Sequence, residues 1–250
     1  MARLLKLFSI NPTGLKLLFK AGLMTAALSG VYFLGVSFWP LLIFFLISFG
    51  IFLKEPPERR LAGISFFILT LLSVLSLALI RSAGPAPTFL IFGAFFVFFA
   101  LFFILFGLIN FFFKNRFAVY GVFNTVLLLL IFLIIQQLSL NDFLRYLLIF
   151  SAVALIFREA FVYFGALLGP RVWFASAVSG FLAVEFYFLA SFLPLGFINA
   201  AAFLTLSFLL VRDGLAVHFQ GFLNLLFVFR QLTFFVFLAI IIFAAAKWAI

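Results

Sequence analysis

The chain has 250 residues, of which 68% are hydrophobic and only 9% are charged. A water-soluble domain of this length has about a quarter of its residues charged, so the composition excludes that class. The net charge of +10 comes from short basic clusters between apolar runs, a pattern typical of topology signals and anionic-lipid contacts and not of nucleic-acid binding. We therefore predict one all-α membrane domain over residues 1–250, a polytopic bundle of about eight to ten transmembrane helices.

The first apolar run, residues 21–53, contains no charge and is too long for one span. We predict two short helices with a turn at Trp39-Pro40, because proline breaks a helix and tryptophan favours the membrane interface. No convincing cleavage site follows the basic N-terminus, so the first helix is interpreted as retained, not as a removed signal peptide. The basic residues before this run are Arg3, Lys6, Lys16 and Lys20.

Polar, proline and glycine residues punctuate the rest of the chain. We predict further helices over residues 61–80, 88–113, 117–137, 143–168, 172–193 and 195–211. Asn141 and Asp142 are typical of an N-cap, and Arg212-Asp213-Gly214 is predicted to end the eighth helix. The last run, residues 215–250, is interrupted at Arg230-Gln231, which leaves either an interfacial helix with one span or two short spans.

The distribution of basic residues predicts the topology. With the N-terminus inside and the helices alternating, eleven of the sixteen Lys and Arg residues lie on the inner side, Arg212 among them, and only Arg81 and Arg145 lie on the outer side through the eighth helix. This excess follows the positive-inside rule. It predicts a multi-pass protein of the cell (inner) membrane with a cytoplasmic N-terminus.

Ionisable residues inside apolar runs are the functional candidates, since charge at membrane depth is costly. The first five helices are predicted to carry none, and the candidates concentrate after residue 140. Taken from the predicted helix ends, Glu159 lies about 14 Å deep and Glu185 about 20 Å deep, so that both carboxylates could face one cavity. If the chain re-enters the membrane after Gly214, His218 lies about 6 Å deep and Asn224 about 15 Å deep.

Each of these residues also has a purely structural interpretation. Arg158 could pair locally with Glu159 and also bond Glu185, and Glu185 could be neutral and hydrogen-bonded. His218 could touch lipid headgroups. The many Phe residues are interpreted as mostly lipid-facing. We expect the glycines within the helices to allow close helix packing, namely Gly107, Gly165 and Gly180.

The last hundred residues resemble the CPBP family of intramembrane proteases, also known as the CAAX-protease and bacteriocin-processing family. The resemblance covers roughly residues 140–240 and rests on the segments IFREAFVYFGALLGPRVWFASAVSGFLAVEF and FLLVRDGLAVHFQGFLNLLF. The family has an EExxxR motif on one helix, FxxxH on the next and HxxxN/D on a later one. The resemblance implies an intramembrane peptidase fold whose acids and histidines activate water.

The motif letters themselves differ. Arg158-Glu159 stands where the family has its acid pair, and Glu185 replaces the histidine after Phe181. For the third motif, His218 lacks the following Asn or Asp, whereas counting from the Gly of the charged turn places Asn224 near the family's histidine. The resemblance thus implies Glu159, Glu185, His218 and Asn224 as the catalytic candidates.

We keep several functions open. The first is a catalytically impaired CPBP-like protein that acts in binding or regulation, in contact with membrane lipids and a membrane-embedded peptide or protein. The alternatives are an active intramembrane endopeptidase, a small transporter, and a scaffold subunit of a membrane complex. No covalent or nucleotide cofactor is indicated. With one His and no Cys, any divalent metal site has to be rich in carboxylates.

Overall fold

The computed structural model describes residues 12–55, 62–84, 87–165 and 169–246. Within these ranges every regular element is a helix, and eight of the nine helices are long and apolar enough to cross a bilayer. The prediction of a polytopic all-α membrane protein is therefore confirmed. The topology residues outside the described ranges are Arg3, Lys6, Arg59, Arg60 and Lys247.

The helices in chain order are α1 Pro12–Leu34, α2 Phe38–Leu53, α3 Gly63–Ser82, α4 Thr88–Ile109, α5 Arg116–Gln137, α6 Asp142–Tyr163, α7 Pro170–Ser191, α8 Phe197–Phe219 and α9 Leu225–Ala245. They form two compact units, which divide within α5 between Phe123 and Asn124. We call the part before this point unit 1 and the part after it unit 2.

The predicted helical hairpin near residue 40 exists, but its turn was placed wrongly. α1 ends at Leu34 and α2 begins at Phe38, so Trp39 and Pro40 lie in the first turn of α2. Proline is tolerated there because the first N–H groups of a helix have no intrahelical partner. The reversal is made instead at Gly35, whose φ of +100° is accessible mainly to glycine. α2 has 16 residues, about 24 Å, and is shorter than the other helices.

Arg81 holds the turn of this hairpin. Its Nη1 atom donates a 2.7 Å hydrogen bond to the carbonyl oxygen of Tyr32 in the last turn of α1. Lys20 near the start of α1 reaches Glu55 just after α2, at the other end of unit 1. Successive helices of unit 1 therefore run antiparallel, with Lys20 and Arg81 at opposite ends. This matches the predicted alternation, while the side facing the cytoplasm stays a prediction.

Phenylalanine builds the core of unit 1 as well as its lipid-facing surface. Phe44, Phe66 and Phe106 are completely buried. Phe66 stacks on Phe52 with ring centroids 4.9 Å apart and meets Phe106 at 6.0 Å. The interpretation of phenylalanine as mainly lipid-facing was therefore incomplete, since the same residue type also fills the core.

Helices α6 and α7 form a closely packed antiparallel pair in unit 2. Gly180 of α7 lies against the backbone of α6, where an added Cβ would be 2.7 Å from the carbonyl oxygen of Phe150 and 3.0 Å from the Cβ of Ala154. The expectation that Gly180 allows close helix packing is confirmed. Gly165 acts differently: it has a φ of +65°, and a Cβ there would meet nothing within 4 Å. It follows the last turn of α6, as glycine commonly does.

Two predicted interruptions do not occur. α8 continues through Arg212-Asp213-Gly214 to Phe219, and α9 continues through Arg230-Gln231 to Ala245. The first is accommodated because Asp213 neutralises Arg212. The second is accommodated because Arg230 is exposed, and an arginine about 8 Å from a helix end can extend its head towards the interface. Residues 225–245 thus form one helix that is long and apolar enough to span the membrane, and Arg212 is not a loop residue.

Candidate functional site

Of the four catalytic candidates from the sequence, three lie near one end of unit 2, and Glu185 lies far from that end. The register of α6 and α7 is set by two contacts: Arg158 stacks on Trp173 at 3.9 Å, and the rings of Tyr146 and Tyr187 are 6.1 Å apart. Glu159 follows Arg158, whereas Glu185 is twelve residues beyond Trp173, about 18 Å along the helix axis.

The expectation of a shared depth for the two acids is therefore wrong. It assumed that α6 continues to residue 168, whereas α6 ends at Tyr163, only four residues after Glu159. The two acids also differ in environment, since Glu159 is 3% exposed and Glu185 is exposed on the surface of unit 2. A cavity in which these two carboxylates act together is not formed within unit 2.

His218 and Asn224 lie at the same end of unit 2 as Glu159. This end is marked by the hydrogen bond of 3.2 Å from Nε2 of Gln220 to the carbonyl oxygen of Phe164, and we call it the Phe164 end. His218 is exposed near the end of α8. Asn224 is the N-cap of α9, where its side chain accepts a 2.7 Å hydrogen bond from the backbone N–H of Phe227.

These positions support structural roles for both residues. Asn224 satisfies one of the free N–H groups that begin every helix. The exposed His218 at a helix end matches its alternative interpretation as an interfacial residue. The catalytic assignment of Glu159, Glu185, His218 and Asn224 stays a prediction.

A group of hydrogen-bonded polar side chains in unit 2 is centred on Arg212. This side chain is 6% exposed, and its Nε and Nη2 atoms each lie 2.8 Å from Oδ1 of Asp213. Its Nη1 atom donates a 2.9 Å hydrogen bond to Oδ1 of Asn124 on α5. Gln231 on α9 completes the group, with Nε2 at 3.5 Å from Oδ2 of Asp213. We call these four residues the Arg212 cluster.

The cluster is only partly satisfied. The Nδ2 atom of Asn124 is buried and has no hydrogen-bond partner among the described residues. The contact from Gln231 to Asp213 is longer than the usual 2.7–3.2 Å for N–H···O, so Oδ2 of Asp213 retains most of its capacity as an acceptor. In lipid, a half-satisfied polar group is costly, so the Arg212 cluster is a candidate functional site.

A cavity of about 150 Å³ opens beside this acceptor, between α8 and α9. Asp213 and Gln231 are its polar walls, and Leu206, Leu210 and Phe234 are among its apolar walls. A liquid water molecule takes about 30 Å³, so the space suits a few waters or one polar side chain. No residue of α9 is buried, so the α9 wall of this cavity lies at the surface of unit 2.

Unit 1 also contains a partly buried ion pair. Glu55 is 3% exposed and pairs with Lys20, and Nδ2 of Asn110 donates to the same carboxylate at 3.4 Å. The ammonium group of Lys20 also lies 5.9 Å from the centroid of the Phe106 ring. The expectation of no interior charge in the first five helices is therefore wrong. Lys20 was assigned to a flanking segment, but α1 begins eight residues earlier, at Pro12.

The Arg212 cluster and the Lys20–Glu55 pair supply hydrogen bonds and charges. Arginine stays protonated and cannot act as a base, and Arg212 contacts Oδ1 of Asp213 through two nitrogen atoms at 2.8 Å. Among the described residues, no three His, Cys, Asp or Glu side chains are grouped to hold a metal ion. Comparison of the chain with protein-family models, with curated proteins and with solved structures finds no match.

Sequence reasoning underrated Arg212 because a charged residue followed by glycine is typical of a loop. The signal available was the spacing of the polar residues within apolar runs. Asn124 and Gln231 both interrupt such runs, and an arginine with an adjacent aspartate can remain in a helix as a neutral pair.

Proposed function

We propose that this protein is a non-catalytic binding or regulatory protein of the membrane, a divergent relative of the CPBP intramembrane proteases. In this proposal, Asp213 and Gln231 recognise a hydrogen-bond donor on a membrane-embedded polypeptide. The observation that carries it is the open acceptor, Oδ2 of Asp213, beside a cavity between α8 and α9.

The charge balance of the cluster suits a neutral ligand group. Arg212 already compensates the charge of Asp213, so an incoming amide or hydroxyl meets a polar acceptor without adding net charge to the membrane. Burying a second charge there would be costly. A hydroxyl or amide on a neighbouring transmembrane segment is a known source of helix–helix association in lipid.

The accessibility of the cavity supports a partner of helical form. Phe234 lines the cavity and is 55% exposed, and α9 contributes no buried residue. A membrane-embedded helix can therefore approach along α9 and place one polar side chain next to Asp213. The lack of catalysis is supported by the separation of Glu159 from Glu185 and by the substituted motif letters.

Photo-crosslinking tests the binding proposal. The photoreactive residue p-benzoylphenylalanine replaces Phe234 in the full chain expressed in cells, and a matched control carries it at Phe237, which is 61% exposed and does not line the cavity. We expect a discrete polypeptide adduct at Phe234 and at least tenfold less at Phe237. Gln231→Leu, which leaves the partner of Arg212 in place, should reduce the Phe234 adduct at least tenfold, and Asp213→Asn should do the same.

Equal adducts at the two positions, no adduct at Phe234, or an adduct insensitive to both variants would overturn the recognition of a polypeptide. Thermal melting of each purified variant reports whether it remains folded. Gln231→Leu is the decisive variant. It replaces a polar side chain of the cavity wall by an apolar one of similar size and leaves no charge unpaired.

A separate assay tests the absence of catalysis. Purified protein in liposomes is incubated with a panel of transmembrane and isoprenylated peptides, and products are identified by mass spectrometry. We expect no cleavage above that of empty liposomes. Cleavage by the native protein that is lost in Glu159→Gln would establish the active endopeptidase instead, and cleavage lost only in Glu185→Gln would assign that residue.

A further inference from the structure

A second polar cavity lies at the opposite end of unit 2 from the Phe164 end. It has a volume of about 220 Å³ and is lined by the ends of four helices. Its polar walls are Gln136 of α5, Arg145 of α6, and Tyr187 and Ser191 of α7. The α5–α6 and α7–α8 connections meet at this end, which we call the Ser191 end.

Arg145 is fixed in place by its neighbours. Its Nη2 atom lies 3.3 Å from the carbonyl oxygen of Leu140 and 3.5 Å from that of Leu138, which follow the end of α5. Its Nη1 atom donates to Oδ1 of Asp142 at 3.1 Å. The side chain of Asp142 is 76% exposed, so water screens this pair and it compensates the charge of Arg145 only weakly.

Two hydrogen-bond donors that line this cavity have no acceptor among the described residues, and a third donor, the Nε atom of Arg145, is buried and unpartnered. The hydroxyl of Tyr187 and the side-chain amide of Gln136 line the same cavity and donate to none of the described residues. The hydroxyl proton of Ser191 is already used on the carbonyl oxygen of Phe188, at 2.6 Å. The cavity thus combines unused donors with one cation.

The rest of the lining sets the class of ligand. The apolar walls of the cavity include Ala190, Ala200 and Leu204. A fully polar ion would leave these apolar side chains in contact with water or charge. The single arginine compensates one negative charge, and a dianion would keep one uncompensated. A carboxylate supplies one negative charge and two acceptor oxygens for the unused donors. The volume is below the roughly 300–1,000 Å³ of sites for drug-sized molecules.

We propose that the cavity at the Ser191 end is a binding site for a small monocarboxylate with a short apolar chain. The carboxylate accepts from Tyr187 and Gln136 beside the positive charge of Arg145, and its chain lies against Ala190, Ala200 and Leu204. This site is independent of the Arg212 cluster, which lies at the other end of unit 2 and uses none of these residues.

Calorimetric titration of the full chain in lipid nanodiscs tests the site, with butyrate, butanamide and inorganic phosphate as probes. We expect butyrate to bind and butanamide, which has the same shape without the charge, to bind at least tenfold more weakly. Phosphate, which is partly a dianion at neutral pH, is also expected to bind at least tenfold more weakly than butyrate.

Three variants connect binding to the cavity. Arg145→Gln removes the cation and should weaken butyrate binding at least tenfold. Ala200→Leu fills the apolar wall, leaves every polar group in place, and should weaken it to a similar extent. Arg171→Gln makes the same charge change at the exposed start of α7, at the Phe164 end, and should leave binding unchanged.

The proposal is overturned if the native protein does not bind butyrate, if butanamide or phosphate binds as tightly, or if neither cavity variant weakens binding. A loss of binding in Arg171→Gln equal to that in Arg145→Gln would assign the effect to net charge and also overturn it. Should Arg145→Gln fail to fold, Ala200→Leu alone decides the outcome.

Discussion

Gly180→Ala should separate helices α6 and α7. The added Cβ would lie 2.7 Å from the carbonyl oxygen of Phe150, whereas ordinary contacts begin near 3.4 Å, so the helices must move apart by about 0.7 Å. The carbonyl is held in the hydrogen-bond ladder of α6 and cannot turn away alone. Gaps of this size lose a quarter to a half of the contact energy of the lining atoms. We expect unfolding to become easier by about 1–3 kcal/mol.

The matched control is Gly93→Ala in α4, where an added Cβ meets nothing within 4 Å. It measures the gain in helix propensity alone, about 1 kcal/mol at most. Both variants are unfolded reversibly in mixed micelles of dodecyl maltoside and dodecyl sulfate and followed by tryptophan fluorescence. The reasoning fails if Gly180→Ala is as stable as Gly93→Ala, because α6 and α7 would then not be in backbone contact at this position.

Three further substitutions are measured by the same unfolding assay. Arg212→Met leaves its hydrogen-bond partners unsatisfied and should lower the free energy of unfolding by about 3–5 kcal/mol. The double variant Arg212→Met/Asp213→Leu should recover more than half of that loss. A double variant no more stable than the single one would contradict the charge-pair argument. Glu55→Gln keeps the shape of the side chain but leaves a half-buried lysine without its anion, so we expect the free energy of unfolding to fall by about 1.5–3 kcal/mol. An unchanged stability would show that the pair is not enclosed. Asn224→Ala removes the N-cap of α9 and should cost about 1 kcal/mol, while His218→Ala should stay within about 0.5 kcal/mol; the reverse order would argue against the capping role.

Much of the secondary structure follows from local rules that do not depend on how the helices pack against one another. Apolar runs without charge become helices in lipid because the backbone must satisfy its own hydrogen bonds. The N-cap at Asn141 was predicted for the same local reason, and its Oδ1 atom accepts a 2.9 Å hydrogen bond from the backbone N–H of Leu144. The number and order of the helices in the described residues agree with the sequence prediction.

Helix ends were less predictable where polar residues can pair across helices. Arg212-Asp213-Gly214 has the composition of a loop, yet α8 continues through it because the two charges neutralise each other and Asn124 accepts from the arginine. Lys20 was expected to precede the first membrane helix because it is charged. Instead it lies within α1 and pairs with Glu55 of unit 1. Partners far along the chain, Asn124 and Glu55, take part in both cases.

The sequence by itself determined the class of this protein, since a chain that is 68% hydrophobic and 9% charged has lipid as its only suitable solvent. Only the tertiary structure decided which polar groups lie at the same height along the helix axes and which do not. A helix advances 1.5 Å per residue, so an error of five residues in the end of α6 moves Glu159 by about 7 Å relative to Glu185. For this reason Glu159 and Glu185 do not form one site, and the polar groups that the structure brings together are those of the Arg212 cluster beside its cavity.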